Sequence, residues 1–437
     1  MKIFTFKGGI HPPSHKDISI CEHLKIVPEL DTYIIPLSQH IGACNNPIVK
    51  KGDIVEEGDV LGENDAFVSS PVHSPVFGKV IDIKKMFHPV LGPTMSVIIE
   101  RDKDKESKVY SKQDIGDVSS SDLLQKIRKL GIIGMGGASF PTHVKLSVPK
   151  EKKVKDLIIN AAECEPYLTC DHLLMNLKKN EILKGIAVIA KILNPDNIYI
   201  AIEDNKKSAI FSFQKLIKEQ KNMFQCNIEV VVLKTKYPQG GEKQLIKAIL
   251  NKEVPFGKLP LDVNVMVNNV STVYAIYEAI YFNKALIERI ITISGDCVDK
   301  PGNYVLKIGA KIKDIIELCN LSFSKKVNKI IMGGPMMGFS QVSDESVILK
   351  NSSGILFLSK DVAKSFEETE CIKCGKCVDV CPMRLVPTSI VKNIKNKDFL
   401  ELNDLNIRDC MECGSCTYVC PARIPIVQYI REGKSFV

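Results

Sequence analysis

Nowhere in these 437 residues is there a run of about 18 or more uncharged apolar residues, so no segment is expected to span a membrane. Met1 to Ile10 contain no apolar stretch of the kind that drives secretion. The protein is therefore expected to lie peripherally on the cytoplasmic side of the cell membrane, or free in the cytoplasm. The same lack argues against an oxidising compartment, which makes a disulfide framework a poor account of the 15 cysteines. Aromatic residues are only 6% of the chain and do not alternate with basic ones, which excludes a nucleic-acid strip. Charge of neither sign dominates: 59 Lys and Arg face 51 Asp and Glu. The basic stretch Lys145 to Lys155 reads as a solvated, mixed surface.

What is present is an ordinary globular balance, 45% hydrophobic and 25% charged, long enough for roughly two to four domains. Up to about Asp117 the pattern is short strands between turns. Pro47 to Glu63 carries paired Lys-Gly-Asp and Glu-Gly-Asp turns flanked by Val and Ile, and Pro71 to Ile83 adds strand-like pieces around Gly78. This resembles the flattened barrel of lipoyl and biotinyl carrier domains. The lysine that such carriers modify is not evident at the expected tip, Ala66 to Ser70, so a barrel without a prosthetic group is expected.

From about Ser120 the period changes. After a helix at Leu123–Leu130, strands at Asp156–Asn160, Ile198–Ile202, Ile228–Leu233 and Val263–Val267 alternate with helices at Asp171–Leu193, Lys206–Lys218, Gly241–Leu250 and Thr272–Phe282. That alternation predicts a doubly wound, Rossmann-like α/β domain, with ligands beyond the C-terminal ends of its parallel strands. Leu286 to Ser340 reads as a small α+β module, and Asp361 to Val437 as helices between cysteine loops.

Eight cysteines fall in two matching runs, Cys371-x2-Cys374-x2-Cys377-x3-Cys381-Pro382 and Cys410-x2-Cys413-x2-Cys416-x3-Cys420-Pro421. Two-residue gaps let three thiolates wrap one cuboidal cluster, with Gly375 and Gly414 permitting the tight turn. The three-residue step carries the fourth cysteine a helical turn on, toward the other cluster. Two [4Fe–4S] clusters are expected: one on Cys371, Cys374, Cys377 and Cys420, the other on Cys381, Cys410, Cys413 and Cys416. Four-cysteine zinc sites instead use separated Cys-x2-Cys knuckles. Cys21, Cys44, Cys226, Cys297 and Cys319 read as small buried hydrophobes, and Cys164 and Cys170 as packing residues near the next motif.

That motif runs from Gly131 to Lys145, GIIGMGGASFPTHVK. Its glycines let backbone N–H groups approach a ligand, and Lys145 is placed to meet a phosphate. It lacks the third glycine of the G-x-G-x-x-G fingerprint.

Together with Asn160-Ala-Ala-Glu-Cys-Glu-Pro166, Tyr237-Pro-Gln-Gly-Gly-Glu242 and Asn268-Asn-Val-Ser-Thr272, this loop resembles the NADH- and FMN-binding subunit of respiratory complex I. The resemblance is closer to the RnfC family of the Rnf ion-translocating ferredoxin:NAD oxidoreductases. Phe6 to Pro13, Pro36 to Gly42, Gly333 to Gly338 and the doubled cysteine run all match that family, over essentially the whole chain. The resemblance implies non-covalent FMN and an NAD(H) site. Gly134, Gly136, Gly137 and Lys145 would cradle the flavin. Asn160, Glu163 and Glu165 would form the acidic loop beside it, with Glu165 nearest the nicotinamide nucleotide. Gly241, Glu242, Asn268, Asn269 and Thr272 would complete the site. The chain departs from the complex I pattern at Ala162 and Lys243, and in having two clusters in its tail.

The implied architecture is a barrel-sandwich hybrid at 1–117 and an FMN- and NADH-binding domain at 118–285. A small β-grasp (SLBB-like) module follows at 286–345, then a two-cluster ferredoxin-type domain at 346–437. The implied partners are the other subunits of a membrane-bound Rnf complex, NAD(H) and, indirectly, ferredoxin. A rival reading is an iron–sulfur relay or docking subunit with no nucleotide site of its own.

Overall fold

The computed structural model describes residues 2–437. Its first two strands, β1 (Ile3–Phe4) and β2 (Lys25–Ile26), leave the N-terminal region and join sheets formed further along the chain. The barrel proper comprises β3 (Thr32–Pro36), β4 (Asn46–Pro47), β5 (Ile54–Val55), β6 (Val60–Glu63), β7 (Val72–His73), β8 (Gly78–His88) and β9 (Gly92–Arg101). These make two antiparallel sheets, ordered β3-β9-β8-β5 and β4-β6-β7. The paired turns are built as their sequence requires. Gly52 and Gly58 take φ of +98° and +96°, which disfavours any side chain. The carboxylates of Asp53 and Asp59 accept the backbone N–H groups of Lys50 and Glu56.

Next come α1 (Ser120–Lys129), capped by Ser119, and α2 (Thr142–Leu146). They precede a strand–helix series: β10 (Asp156–Ala161), α3 (Cys170–Leu177), α4 (Lys179–Leu193), β11 (Asn197–Glu203), α5 (Lys207–Glu219) and β12 (Asn227–Leu233). The series closes with α6 (Glu242–Leu250), β13 (Val265–Asn269) and α7 (Val270–Phe282). The sheet is wholly parallel, in the order β1-β12-β11-β10-β13. One helix expected over Asp171–Leu193 is two. Lys178, at φ −121° and ψ 28°, breaks it, and α3 turns to pack on α5, α7 and the strand after α7.

A third unit contains β14 (Glu288–Ser294), β15 (Gly302–Lys307), α8 (Ile312–Leu318), β16 (Lys329–Met332), β17 (Phe339–Gln341) and β18 (Gly354–Leu358). Its mixed sheet is ordered β17-β16-β18-β14-β15-β2. The expected boundary at 345/346 therefore cuts this sheet: β18 pairs with β14 on one side and β16 on the other, and all five of its residues are buried. The unit shares one apolar core with the barrel, where Ile35, Leu61 and Ile99 pack together with Ile291, Leu306 and Phe357.

The C-terminal unit is built from α9 (Lys376–Asp379), α10 (Pro387–Lys395), α11 (Ser415–Tyr418) and α12 (Ile426–Lys434), with α10 packed on α12. Among the described residues no helix is long and apolar enough to cross a membrane.

Candidate functional site

The chain runs outward from β10 to β11 and β12, then returns to place β13 on the other side of β10. Connections diverge between β10 and β13, which opens a crevice at their C-terminal ends, the usual ligand position in such sheets. Asn160 and Asn269 are register partners at that point, as are Ile159 and Asn268. Asn269 caps α7, accepting from the N–H groups of Ser271 (2.8 Å) and Thr272 (3.4 Å).

The glycine loop is anchored there: Met135 N–H donates to Thr272 Oγ1 at 2.9 Å. Gly136 lies tight against the cap of α7: a Cβ there would stand 3.2 Å from Asn269 Cβ. Gly137 has φ +131° and open space around it. The Asn160 amide donates to Gly240 O at 2.8 Å, which brings in the loop ending at Gly241 and Glu242. Lys145 Nζ lies 2.7 Å from Glu242 Oε1, so the lysine expected to meet a phosphate already holds a carboxylate.

Beneath this rim is a buried charged network that the sequence reading missed. Lys16, from the N-terminal segment, donates to the carbonyl oxygens of Glu163 (2.8 Å) and Leu168. Lys206 donates to Ala162 O (2.6 Å) and Glu203 Oε2 (2.8 Å). Burial opposes the Lys206 charge, but Glu203 and Glu163 outweigh it and raise its pKa. Glu163 has φ +49°, accepts the Asp171 N–H at 2.6 Å, and is pushed up to about 7 by burial. Lys16 is remote from residue 163 in sequence, so no local pattern could have revealed the pair.

Glu165 faces away from open solvent. Its two oxygens accept the N–H groups of Met336 (3.0 Å) and Met337 (2.9 Å), and burial pushes its carboxyl up to about 7. Gly334 permits this approach, since a Cβ there would overlap the carboxylate. Cys164 Sγ accepts the Gly240 N–H at 3.3 Å, and burial pushes its thiol up to about 12. Asn268 Nδ2 and both amide atoms of Gln239 are buried without protein partners. Unpaired buried donors, beside glycines that admit close backbone approach, fit a polar, phosphorylated group such as FMN.

The cysteine runs repeat in backbone detail. Lys373 and Glu412 both have φ +57°, Gly375 and Gly414 have +76° and +79°, and Arg384 and Arg423 both have +56°. The N–H groups of Lys373 and Glu412 point at Cys371 Sγ and Cys410 Sγ, each at 3.4 Å. Burial raises Cys410, Cys413 and Cys416, and the nearby Cys381 adds to the rise in all three. Burial likewise raises Cys377, with Cys420 and Cys371 adding to it. Cys374 is exposed on the loop between Cys371 and Cys377. Among the described residues no three such side chains converge as the ligands of a single ion would. In a cuboidal cluster each thiolate binds a different iron, so its four sulfurs surround a larger body.

A groove of about 730 Å³ lined by Leu146, Lys153, Val154 and Asn194 lies at the opposite end of the parallel sheet, away from these loops.

Comparison with known proteins agrees with this geometry. The family model of the Nuo51 FMN-binding domain matches residues 127–278. The RnfC barrel sandwich hybrid domain matches 4–104, and a 4Fe-4S dicluster domain matches 370–424. The RnfC-type component of the proton-translocating ferredoxin:NAD(+) oxidoreductase complex of Clostridium ljungdahlii is 43% identical, over 99% of this chain and 93% of its own length. Its counterpart in the Na(+)-translocating complex of Acetobacterium woodii is 42% identical, over 89% of this chain and 87% of its own. In fold, a crystal structure of an NAD+-reducing [NiFe]-hydrogenase superposes with TM-score 0.51 at 17% identity, over 74% of this chain and 63% of that one. With a barrel-sandwich, an FMN-binding domain and a dicluster tail in one chain, and near-full-length identity to those relatives, the protein belongs to the RnfC family of the ion-translocating ferredoxin:NAD oxidoreductase complexes.

Proposed function

We propose that this chain exchanges hydride with NAD(H) at non-covalently bound FMN and passes electrons singly through two [4Fe–4S] clusters. It does so as a peripheral subunit of a membrane-bound, ion-translocating ferredoxin:NAD oxidoreductase, on the cytoplasmic side. One observation carries the reading: the loops at the β10/β13 crevice and the second cysteine run share one apolar cluster, in which Tyr237 and Cys164 pack with Cys413. A flavin, when bound, accepts two electrons as hydride and returns them one at a time, which clusters require.

In this reading Gly134, Gly136 and Gly137 admit the flavin to the backbone, and Asn268, Asn269 and Thr272 supply polar contacts. Asn160, Gly241 and Glu242 hold the neighbouring loop, and Lys145, shared with Glu242, meets the phosphate. Glu163 is held by Lys16 within the wall of the site. Glu165 ties the loop Gly333–Gly338 beside the nucleotide position. The first cluster takes Cys371, Cys374, Cys377 and Cys420, and the second takes Cys381, Cys410, Cys413 and Cys416. We assign the barrel to 1–117, the flavin domain to 118–285 and a β-grasp module from 286 to the end of its sheet at Leu358. The cluster domain occupies the remainder.

The test is anaerobic mixing of the FMN-loaded, cluster-loaded protein with NADH. Bleaching of the flavin absorbance followed by cluster reduction is expected. An oxidised flavin after mixing would favour the rival, a relay without its own nucleotide site.

A further inference from the structure

The glycine loop belongs to the flavin domain, yet its entry is held from outside that domain. Lys350 lies in the turn just before β18, in the third unit, and is 1% exposed. Its Nζ donates to Gly131 O at 2.7 Å and to Pro71 O at 2.6 Å, so one amine ties the first residue of the loop to the barrel. Gly131 has φ +67°, and a Cβ there would stand 2.6 Å from Lys350 Nζ and 2.5 Å from Pro71 O. A side chain at that position would therefore push the loop off the amine.

The turn that carries Lys350 is itself fixed. Gln39 Oε1, from the barrel, accepts the Lys350 backbone N–H at 3.0 Å, and Ser352 Oγ accepts the Leu349 N–H at 3.0 Å. Arg289 on β14 donates to Ser352 O at 3.2 Å and lays its guanidinium against the sulfur of Met135, four residues into the glycine loop. Lys350 has no carboxylate partner among the described residues, and burial pushes its ammonium down to about 7. An apolar chain of similar length would avoid that desolvation, so what the lysine adds is its N–H donors. They meet two carbonyls, of Gly131 and Pro71, that belong to buried residues and would otherwise lack partners.

We propose that Lys350 is a positioning residue for the flavin: it fixes the entry of the glycine loop and so sets where the backbone of Gly134, Gly136 and Gly137 stands when FMN binds. The inference rests on the functional reading above. It adds to the site a residue outside 127–278, the segment that matches the FMN-binding domain model. Lys350 acts through Gly131 and needs no contact with the flavin.

The test titrates FMN into the flavin-free, cluster-loaded full chain and follows the quenching of flavin fluorescence. Lys350→Met keeps the length but removes the donors, and its FMN affinity should fall about tenfold, the cost of two unpaired carbonyls. Iron content and the cluster signals in electron paramagnetic resonance should not change. Unchanged affinity overturns the proposal, and so does a loss of iron in step with the loss of flavin, because the effect would then be general. Lys350→Ala supplies the rescue. Propylamine replaces the deleted atoms and should restore FMN affinity, whereas tert-butylamine, equally basic but too broad for the slot, should not. Failure of propylamine to restore, or equal restoration by both amines, overturns the role of the donors. Should neither variant fold, Gln39→Ala decides: it frees the Lys350 backbone while keeping the amine, and affinity should fall about threefold. Unchanged affinity there overturns the proposal. If the unmodified protein carries its iron but binds no FMN, the functional reading itself fails.

Discussion

At the scale of single residues, the crossing of the fourth cysteines makes the sharpest prediction. Cys381→Ala should remove the cluster it shares with Cys410, Cys413 and Cys416, lowering iron from about eight atoms to about four. The signal that remains should match the one left in Cys413→Ala, and iron assay with electron paramagnetic resonance checks it. A spectrum matching Cys371→Ala would refute the crossed assignment. Glu165 yields a pH prediction. Burial raises its carboxyl from 4.5 to about 7, so folding favours the protonated form. Its contribution is full below about 4.5 and lost as pH rises through about 7, a change of up to ~3 kcal/mol. Glu165→Gln should flatten that part of the profile of melting temperature against pH. It should also leave the Met336 or the Met337 N–H facing an amide donor, loosening the loop and slowing reduction by NADH. An unaltered pH profile would remove Glu165 from this role. The proposed cysteine assignment can be made residue by residue because ligand spacing is local. The use of Glu165 was not legible in the sequence, because its partners lie on a loop some 170 residues away.

At the scale of elements, the glycine loop between α1 and α2 is the feature most open to test. Gly136→Val brings a branched side chain against Asn269, so FMN affinity should fall by about tenfold or more, ~1.4 kcal/mol at the least. Lys145→Ala should lower it less, since Glu242 already shares that charge. Fluorescence of released flavin against iron content measures both. Flavin content unchanged in both variants would rule this loop out as the cradle. The strand and helix alternation was legible because apolar periodicity repeats within each segment. The break at Lys178 was not, since no Gly or Pro marks it and only the packing of α3 turns the chain there. Strand β18 was missed for a related reason. Its five apolar residues can be told from a loop or buried helix segment only by their partners, β14 and β16.

At the scale of the whole molecule, the flavin crevice and the clusters are separable in chemistry though they touch. A chain ending before Cys371 uncovers Ile10 and Tyr237 and should lose some stability. Loaded with FMN, it should still be bleached by NADH while delivering nothing onward, and rapid-mixing spectra would show this. A flavin left oxidised in that folded truncation would point to electron entry elsewhere. Attachment to the membrane is the second property at this scale. In the peripheral placement proposed above, mild chaotrope should release the protein once its partners are disturbed. A requirement for detergent would contradict peripheral attachment.

The order of the barrel, flavin and cluster domains, the parallel α/β sheet and the cluster type follow from the sequence alone, because each depends on spacing within a few dozen residues. The tertiary structure alone decides that Lys16 reaches under Glu163, that β1 and β2 leave the barrel for other sheets, and that Glu165 grips the Gly333–Gly338 loop. It also decides that one of two near-identical cysteine runs is sealed and the other open. Those outcomes turn on burial and on contacts between distant segments, and two runs with the same local pattern are distinguished only by what the rest of the chain packs against them.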